Sequence, residues 1–270
     1  MDRVRILVHG ALGKMGQEVL RAACHDPGVE PVAGVDVRAD TTDLTLPDGC
    51  SRIPVSPDLE SALQHHHPDV LVDFSTAEAT MPAVRTAVRH GVALVIGTTG
   101  LSTADIDEIR SLCQASKTGA VVAPNFALAG VIMTHLARIA SRFFDYAEII
   151  EMHHEQKLDA PSGTAMNTAR EMVEARGRPF THAAPARETI SGTRGGQQEG
   201  VALHSVRMPG LLAHQEIIFG AAGQTLKIRL DQISREAFMP CVMLAIRKAA
   251  DLEEAVFGLE SILGLGEETC

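Results

Sequence analysis

The run Glu151-Met152-His153-His154-Glu155-Gln156-Lys157-Leu158-Asp159-Ala160-Pro161-Ser162-Gly163-Thr164 gathers two imidazoles, an ammonium group and a Ser-Gly-Thr helix start in one short stretch. Hydride addition to an unsaturated ring leaves negative charge, and an imidazolium or ammonium ion can neutralise it by giving a proton. The helical pattern that follows, Gly163 to about Ala175, begins with free N–H groups and a dipole that suit an anionic carboxylate. A His pair can also be a simple polar strand end or a metal site. Adjacent residues on a strand point to opposite faces, however, and no third ligand accompanies these two, so no metal is expected. The His65-His66-His67 run before Pro68 reads as a solvated loop at a helix end.

A second constellation lies near the start of the sequence. Gly10-Ala11-Leu12-Gly13-Lys14-Met15-Gly16 follows an apolar strand pattern and opens a helix, as a phosphate-binding turn does. Its spacing is GxxGxxG rather than GxGxxG, with Ala11 where the first glycine of that fingerprint stands, so a purely structural turn is the competing reading. Asp36 ends the second strand twenty residues beyond Gly16, where an acid commonly binds the ribose hydroxyls of NAD. Arg38 and Lys14 suit a 2′-phosphate equally well, or are solvated cations, which leaves NADH and NADPH both open. Three more strand-end segments, Asp73 to Thr76, Gly97-Thr98-Thr99-Gly100 and Ala123-Pro124-Asn125-Phe126, are placed to flank the nicotinamide half.

These residues need a scaffold, and the sequence spells one out. Apolar runs at Val4–Val8, Pro31–Val35, Val70–Phe74, Val92–Ile96 and Ala120–Ala123 alternate with helical stretches at Met15–His25, Leu59–His65, Ala77–His90 and Thr103–Lys117. Ser102-Thr103-Ala104-Asp105 has the hydroxyl and acid of a helix start. Such alternation predicts a Rossmann-like, doubly wound parallel sheet of the α/β class. After Phe126 the order changes to a helix (130–142), a strand (148–152) and a helix (163–175), then a Gly-rich loop (192–200). Three strand candidates follow, Ala202–Arg207, Gln215–Phe219 and Thr225–Leu230, as in a second α+β domain with an open mixed or antiparallel sheet. The last stretch, Ala237–Leu263, reads as helical and is expected to pack back on the first domain. The expected division is therefore residues 1–126 plus 236–270 for the dinucleotide, and 127–235 for substrate and assembly.

The 270 residues are 45% hydrophobic, which is ample for packed cores. A net charge of -10, from 24 Lys and Arg against 34 Asp and Glu, argues against a general nucleic-acid or anionic-membrane binder. An anionic substrate in a dedicated pocket remains compatible with it. Cys24, Cys50, Cys113, Cys241 and Cys270 show no metal spacing and fit reduced thiols in a cytosol. No export signal and no apolar run of spanning length is read in the sequence, so a soluble cytoplasmic protein is expected.

Within the first constellation, Glu151, His154, Lys157, Asp159, Pro161, Ser162, Gly163 and Thr164 match the pattern E-x-x-H-x-x-K-x-D-x-P-S-G-T. This resembles the signature of the dihydrodipicolinate reductases, the 4-hydroxy-tetrahydrodipicolinate reductases of diaminopimelate and lysine synthesis. The likeness extends through Gly10–Gly16, Gly97–Gly100, Asn125-Phe126 and His204–Phe219, with Arg207 and His214. It implies reduction of a small dicarboxylate by NADH or NADPH, with His153 as proton donor and Lys157 as its catalytic partner. His154 would touch substrate, and Gly163 and Thr164 would bind a substrate carboxylate. Cofactor contacts would come from Gly10, Ala11, Leu12, Gly13, Lys14, Met15, Asp36, Gly97, Thr98, Thr99, Ala123, Pro124, Asn125 and Phe126. The resemblance also implies a homotetramer built through the second sheet. A non-catalytic redox sensor would share the nucleotide end, and a related dehydrogenase acting on an acyclic aspartate-derived substrate would share both domains. Neither has a use for the whole Glu151–Thr164 run.

Overall fold

A strand covered by helices on both faces has no solvated side, so it reads as an unbroken apolar run. Val4–His9 forms such a strand, with Ile6, Leu7 and Val8 fully buried. In the computed structural model, which describes residues 3–49 and 51–265, the chain begins β1 (Val4–His9), α1 (Lys14–His25), β2 (Val29–Val35), β3 (Asp43–Thr45), β4 (Arg52–Ser56) and α2 (Leu59–His66). It continues β5 (Val70–Asp73), α3 (Ala77–Arg89), β6 (Ala93–Ile96), α4 (Thr103–Ser116) and β7 (Ala120–Val122). Next come α5 (Leu128–Ser141), β8 (Tyr146–His153), α6 (Gly163–Arg176), β9 (Gly196–Gln198), β10 (Val201–Arg207), β11 (Ala213–Ala221) and β12 (Gln224–Gln232). A 3-10 turn (Arg235–Phe238), α7 (Met239–Asp251) and β13 (Ala255–Phe257) complete it. One structural unit takes the chain up to Ala127 and resumes at Phe238; the other is Leu128–Ala237.

The first unit contains a sheet in the order β13-β7-β6-β5-β1-β2-β4-β3, parallel throughout except where β3 pairs antiparallel with β4. This is the Rossmann-like sheet expected from the sequence. Strand order reverses beside β1, which lies between β2 and β5, and ligands of such sheets bind beyond the carboxyl ends of the strands at that point. The helix starts are built as the sequence implies: Ser102 Oγ accepts the Asp105 N–H at 3.2 Å, and Asp105 accepts the Ser102 N–H at 2.8 Å. α7 packs against β6, β7 and α1 through buried Val242, Ala245, Ile246 and Ala249.

Three expectations change in this unit. Helix does not continue from Ala237 to Leu263; it stops at Asp251, and β13 adds to the sheet edge with Val256 opposite Val121. A strand of three residues is too short to show a period, and its apolar residues were absorbed into the preceding helical pattern. The β3–β4 pair was not expected, because Pro54 breaks the apolar run; Pro54 stands opposite Asp43 of β3, one residue before the ladder from β4 to β2 begins at Val55. His65 and His66 form the last helical turn of α2, and His67 caps it in the left-handed conformation (φ 43°), so the His run is not a loop.

The second unit has a mixed sheet in the order β12-β11-β8-β10-β9, the mixed form of the open sheet expected there. β10 runs parallel to β8, with Arg207 opposite His153, whereas β11 runs antiparallel to it. The connection through α6 supplies the crossover that a parallel pair requires. β9 lies inside the stretch expected to be a loop; its three residues carry no apolar signal. α5 and α6 cover one face of this sheet, and the core between them gathers Met133, Ala137, Ala169, Met172, Ile149, Ile217 and Phe219.

Of the cysteines, Cys24, Cys113 and Cys241 are free thiols, and Cys50 and Cys270 lie outside the described residues. No helix among the described residues is long and apolar enough to cross a membrane.

Phe219 is fully buried, with ring centroids 5.5 Å from Phe144 and 6.5 Å from Phe180. Phe219→Ala should cost about 3–5 kcal/mol through lost burial and the cavity left behind. Urea unfolding should show this as a lower midpoint; an unchanged midpoint would remove Phe219 from the centre of the second core.

Candidate active site

The turn after β1 is fixed by backbone geometry. Gly10 has φ +81°, and a Cβ there would lie 2.7 Å from the Phe74 carbonyl oxygen. At Gly16 the added atom would meet the Gly10 carbonyl oxygen at 2.2 Å, so both positions require glycine. Gly13 is the N-cap of α1 and makes no side-chain cap, and no acid occupies the first turn. The leading N–H groups of α1 therefore face outward without a built-in anion, which is the arrangement a cofactor pyrophosphate needs. The turn is tied to β2 by hydrogen bonds from the Gly10 and Ala11 N–H groups to the Val35 carbonyl.

Asp36 stands at the end of β2 and is 5% exposed. Its carboxylate accepts the Leu12 N–H (3.0 Å) and the Nε–H and Nη2–H of Arg38 (3.0 and 3.1 Å). Burial raises its pKa, but the Arg38 fork and the two backbone donors outweigh that and hold it below the usual range. Arg38 thus reaches Asp36 rather than standing apart from it, so the two candidate determinants of cofactor choice form one ion pair.

Further along the same edge, Asp73 is 1% exposed at the end of β5 and accepts bonds from four side chains. His9 Nδ1 lies at 2.8 Å, Ser75 Oγ at 2.6 Å, Thr80 Oγ1 at 2.6 Å and Thr98 Oγ1 at 3.0 Å. Thr98 in turn accepts the Ser75 N–H at 3.0 Å. Burial pushes the Asp73 carboxyl up, but the donors, His9 foremost, hold it below the ordinary range. The network joins β1, β5, α3 and the Gly97–Gly100 loop. Gly97 is also constrained, since a Cβ there would sit 2.0 Å from the Phe74 ring. That ring meets Phe126 edge-on at 5.8 Å, and Asn125 Oδ1 accepts the Ala127 N–H. Thr99 and Pro124 remain exposed.

In the second unit, the alternation along β8 places Ala147, Ile149, Glu151 and His153 on one face. The first two enter the core; Glu151 puts a carboxylate with 0% exposure at the same depth. Arg207, from the adjacent β10, meets it with two N–H groups, Nη1 to Oε2 at 2.9 Å and Nη2 to Oε1 at 2.7 Å. His153 Nδ1 lies 2.6 Å from Oε2, and the Ser162 N–H donates to Oε1 at 3.3 Å. Arg207 Nη2 also reaches the Asp159 carbonyl at 2.7 Å. Lys157 pairs with Asp159 at 2.6 Å, and its N–H closes a turn on the His154 carbonyl. His154 lies just beyond the end of β8, so the two imidazoles are not neighbours on one strand as expected.

α6 begins at Gly163, behind a peptide bond between Ala160 and Pro161 that is cis. Ser162 Oγ caps the Ala165 N–H, and no acid lies in the first turn. Gly163 and Thr164 are exposed at this helix N-terminus. Inside the helix, Thr168 accepts from Gln215 Nε2 at 3.1 Å and donates to the Thr164 carbonyl at 2.9 Å, tying the first turn to β11.

Burial pushes the Glu151 carboxyl up, but hydrogen bonds from Arg207, Ser205 and His153 outweigh it and keep it ionised below the usual range. For His153, burial lowers the pKa first; the Glu151 hydrogen bond and charge oppose this, while Lys157 and Arg207 act with burial, and the net shift is downward. An ionised Glu151 only accepts, so Nδ1 carries the hydrogen and Nε2 is the nitrogen left for a ligand. Glu151 and Arg207 were legible as motif residues but not as a unit: the i,i+2 spacing of Glu151 and His153 signals a shared face, whereas the pairing of β8 with β10 has no local signature. No group of three or more His, Cys, Asp or Glu side chains suited to a metal occurs among the described residues.

Comparison with known proteins agrees over the full length. The family model described as "Dihydrodipicolinate reductase, N-terminus" matches residues 4–126, and its C-terminal counterpart matches 129–263. A 4-hydroxy-tetrahydrodipicolinate reductase of Dehalococcoides mccartyi is 53% identical over 98% of this chain and 100% of its own length. The enzyme of the same name from Moorella thermoacetica is 46% identical over 96% of this chain and 98% of its own. Among solved structures, the dipicolinate-bound dihydrodipicolinate reductase from Paenisporosarcina sp. TG-14 superposes with a TM-score of 0.86 at 38% identity, covering 96% of this chain and 99% of that one. An amine dehydrogenase from Mycobacterium smegmatis, at 17% identity and TM-score 0.63, shares the fold.

The Asp73 network makes a testable contribution to acid stability. Because its folded pKa lies below the unfolded value, Asp73 adds stability that is present above about pH 4 and is lost as pH falls through the folded value. Asp73→Asn should lower stability at pH 7 by on the order of 2–3 kcal/mol, for lost charge-assisted bonds. It should also flatten the fall in urea midpoint below pH 4. A variant with the wild-type acid slope would show that Asp73 is not held ionised by this network.

Proposed function

The chain belongs to the dihydrodipicolinate reductase family, and from that membership and the site geometry we propose a mechanism in which His153 supplies the proton and α6 holds the substrate. The protein is an oxidoreductase of diaminopimelate and lysine biosynthesis that reduces 4-hydroxy-tetrahydrodipicolinate, or the dihydrodipicolinate formed from it by loss of water, to tetrahydrodipicolinate with NADH or NADPH. The observation that carries the mechanism is the single cluster of His153, Glu151, Arg207 and the open N-terminus of α6.

When bound, the nicotinamide cofactor supplies the hydride. The N–H groups at the start of α1 bind its pyrophosphate, with Gly10, Ala11, Leu12, Gly13, Lys14 and Met15 forming the turn. Asp36 binds the adenosine ribose, with Arg38 beside it for a 2′-phosphate. Gly97, Thr98, Thr99 and the Ala123–Phe126 segment flank the nicotinamide half. On the substrate side, the N–H groups of Gly163 and Thr164 hold one carboxylate at the helix N-terminus. His154 contacts the substrate, and Lys157 leaves Asp159 to pair with its negative charge. The ring that has accepted hydride takes a proton from His153 Nε2, so one hydride and one proton are added and the imidazole is left neutral.

His153 is held below the ordinary imidazole range in the free protein. A dianionic substrate beside it opposes that shift and favours the imidazolium, which couples protonation to binding.

We also propose that the second unit assembles as a homotetramer through the face of its sheet opposite α5 and α6. Ile150, Met152, Val206 and Ile218 lie on that face and stay partly exposed, interleaved with Glu216 and Glu148, which stand opposite Ile150 and Ile218 and pair with Arg229 and Arg194. A sheet face that no helix covers and that sets apolar side chains among ion-paired charges suits contact between copies of the chain.

Activity is tested by mixing the protein with the condensation product of pyruvate and aspartate semialdehyde and following nicotinamide absorbance. Oxidation of NADH or NADPH is expected, and none with either cofactor would sink the function. His153→Gln should lower kcat by about 100-fold or more, the span of a general acid, with cofactor affinity unchanged. In the wild type, kcat/KM should fall as pH rises, with its basic limb at lower pH than that of kcat, because only the complex raises the His153 pKa. Coincident limbs would separate His153 from substrate charge. For assembly, Ile218→Lys should convert the tetramer to smaller species in sedimentation velocity; a tetramer that survives this change and Ile150→Lys would place the interface elsewhere.

A further inference from the structure

Glu151 takes part in no step written above, yet it is the one fully buried carboxylate in the second unit that touches both the proton-bearing ring and the helix that holds substrate. Resting on the mechanism just given, we propose that Glu151 is a positioning residue: it fixes Nδ1–H of His153 so that Nε2 carries the proton, and it sets the α6 N-terminus in the same frame.

The geometry gives each half of that statement its own bond. Oε2 receives His153 Nδ1 at 2.6 Å, and Oε1 receives the Ser162 N–H, the residue directly before Gly163 and Thr164. The ring cannot rotate to offer Nδ1 to a ligand without leaving a buried carboxylate short of a donor, which is costly. The helix start cannot move without breaking a bond to the same carboxylate. Arg207 extends the frame to a third element, since the guanidinium that neutralises Glu151 also holds the Asp159 carbonyl, two residues from Lys157. Proton donor, carboxylate cradle and lysine loop are therefore referenced to one carboxylate on β8.

The charged groups that face the His153 ring are Glu151 on its own strand, Arg207 on β10 and Lys157 on the following loop; its β11 partner, Ala213, is apolar. Of these, Glu151 alone is negative. Removing its charge destabilises the imidazolium and leaves both cations unopposed, so the proton should be lost at lower pH. This separates positioning from bulk: a residue that merely filled space would leave the titration where it was.

The test is the pH profile of kcat in Glu151→Gln. Its basic limb should move to lower pH by about one unit or more, with kcat at the optimum reduced about 100-fold, comparable to loss of the acid itself. Dipicolinate, used as a carboxylate probe, should bind at least about tenfold more weakly, because the helix anchor is weakened. Glu151→Gln combined with His153→Gln should be little worse than His153→Gln alone, since both act on one proton transfer. Should the single variant fail to fold with Arg207 unpaired, Glu151→Gln/Arg207→Met removes both charges; because Glu151 acts on the ring more strongly than Arg207, the basic limb should still move to lower pH, by less, and dipicolinate should still bind more weakly. An unmoved basic limb, or losses that multiply in the Glu151/His153 double variant, would overturn the proposal. Full activity in His153→Gln would instead overturn the mechanism it rests on.

Discussion

A carboxylate with no solvent exposure on a strand whose inward neighbours are Ala147 and Ile149 is the constraint around which the second unit is arranged. Burying an ionised group without partners is prohibitive, and Glu151 is held ionised by two guanidinium N–H groups, the Ser205 hydroxyl, one ring nitrogen and one backbone N–H that converge on its carboxylate. The donors come from separate parts of the chain. Arg207 requires β10 to run parallel to β8 in the observed register, and Ser162 requires the chain to pass over the sheet before α6 begins. The mixed topology follows from this demand as much as from apolar packing. An all-antiparallel arrangement would bring another residue than Arg207 to the position beside His153.

The same device recurs in the first unit. Asp36 and Asp73 each end a parallel strand, each is buried, and each gathers donors from loops that would otherwise be free. Asp36 takes the Leu12 N–H and so pins the glycine turn to β2; Asp73 takes Thr98 and Ser75 and so pins two further loops to β5 and β1. Loops at the carboxyl edge of an open sheet carry the ligand contacts, yet they lack the ladder bonds that hold the strands. A buried carboxylate at the strand end supplies the missing bonds, and it becomes stable only when the loops are in place. Local order and charge burial are therefore conditional on one another.

The sequence made some of this legible and hid the rest for definite reasons. Strands β1, β5, β6 and β7 were plain because double burial removes polar residues from them. The glycine turn and Asp36 were plain because their spacing is set within one βαβ unit, and the Ser102–Asp105 cap because it is local. β3, β9 and β13 leave no signal because three residues cannot display a period, and for the same reason β13 is indistinguishable in sequence from a continuation of the final helix. The Glu151–Arg207 pair was invisible at the level of pairing: 56 residues separate the two, and only register brings them together. His9 gave no signal either, because its partner Asp73 lies 64 residues away on the neighbouring strand.

A protein of net charge -10 that binds a dinucleotide and a dicarboxylate must find its attraction locally. At physiological salt, the field of distant acids is screened over about 8 Å, so the overall charge neither prevents nor drives binding. What matters is the arrangement at two helix ends. α2, α3 and α4 each carry an acid in the first turn, which settles the dipole internally. α1, α5, α6 and α7 carry none, and at α1 and α6 the leading N–H groups lie where the cofactor and substrate are proposed to bind. The acids that would have capped them are present nearby but turned to another use: Asp36 and Glu151 accept backbone N–H groups one or two residues before those helices begin, and so hold the helix ends still without occupying them. At α6 the neutral Ser162 hydroxyl caps the Ala165 N–H and leaves those of Gly163 and Thr164 to a ligand, whereas an acid in the first turn would settle the dipole internally and compete with the ligand for the same N–H groups.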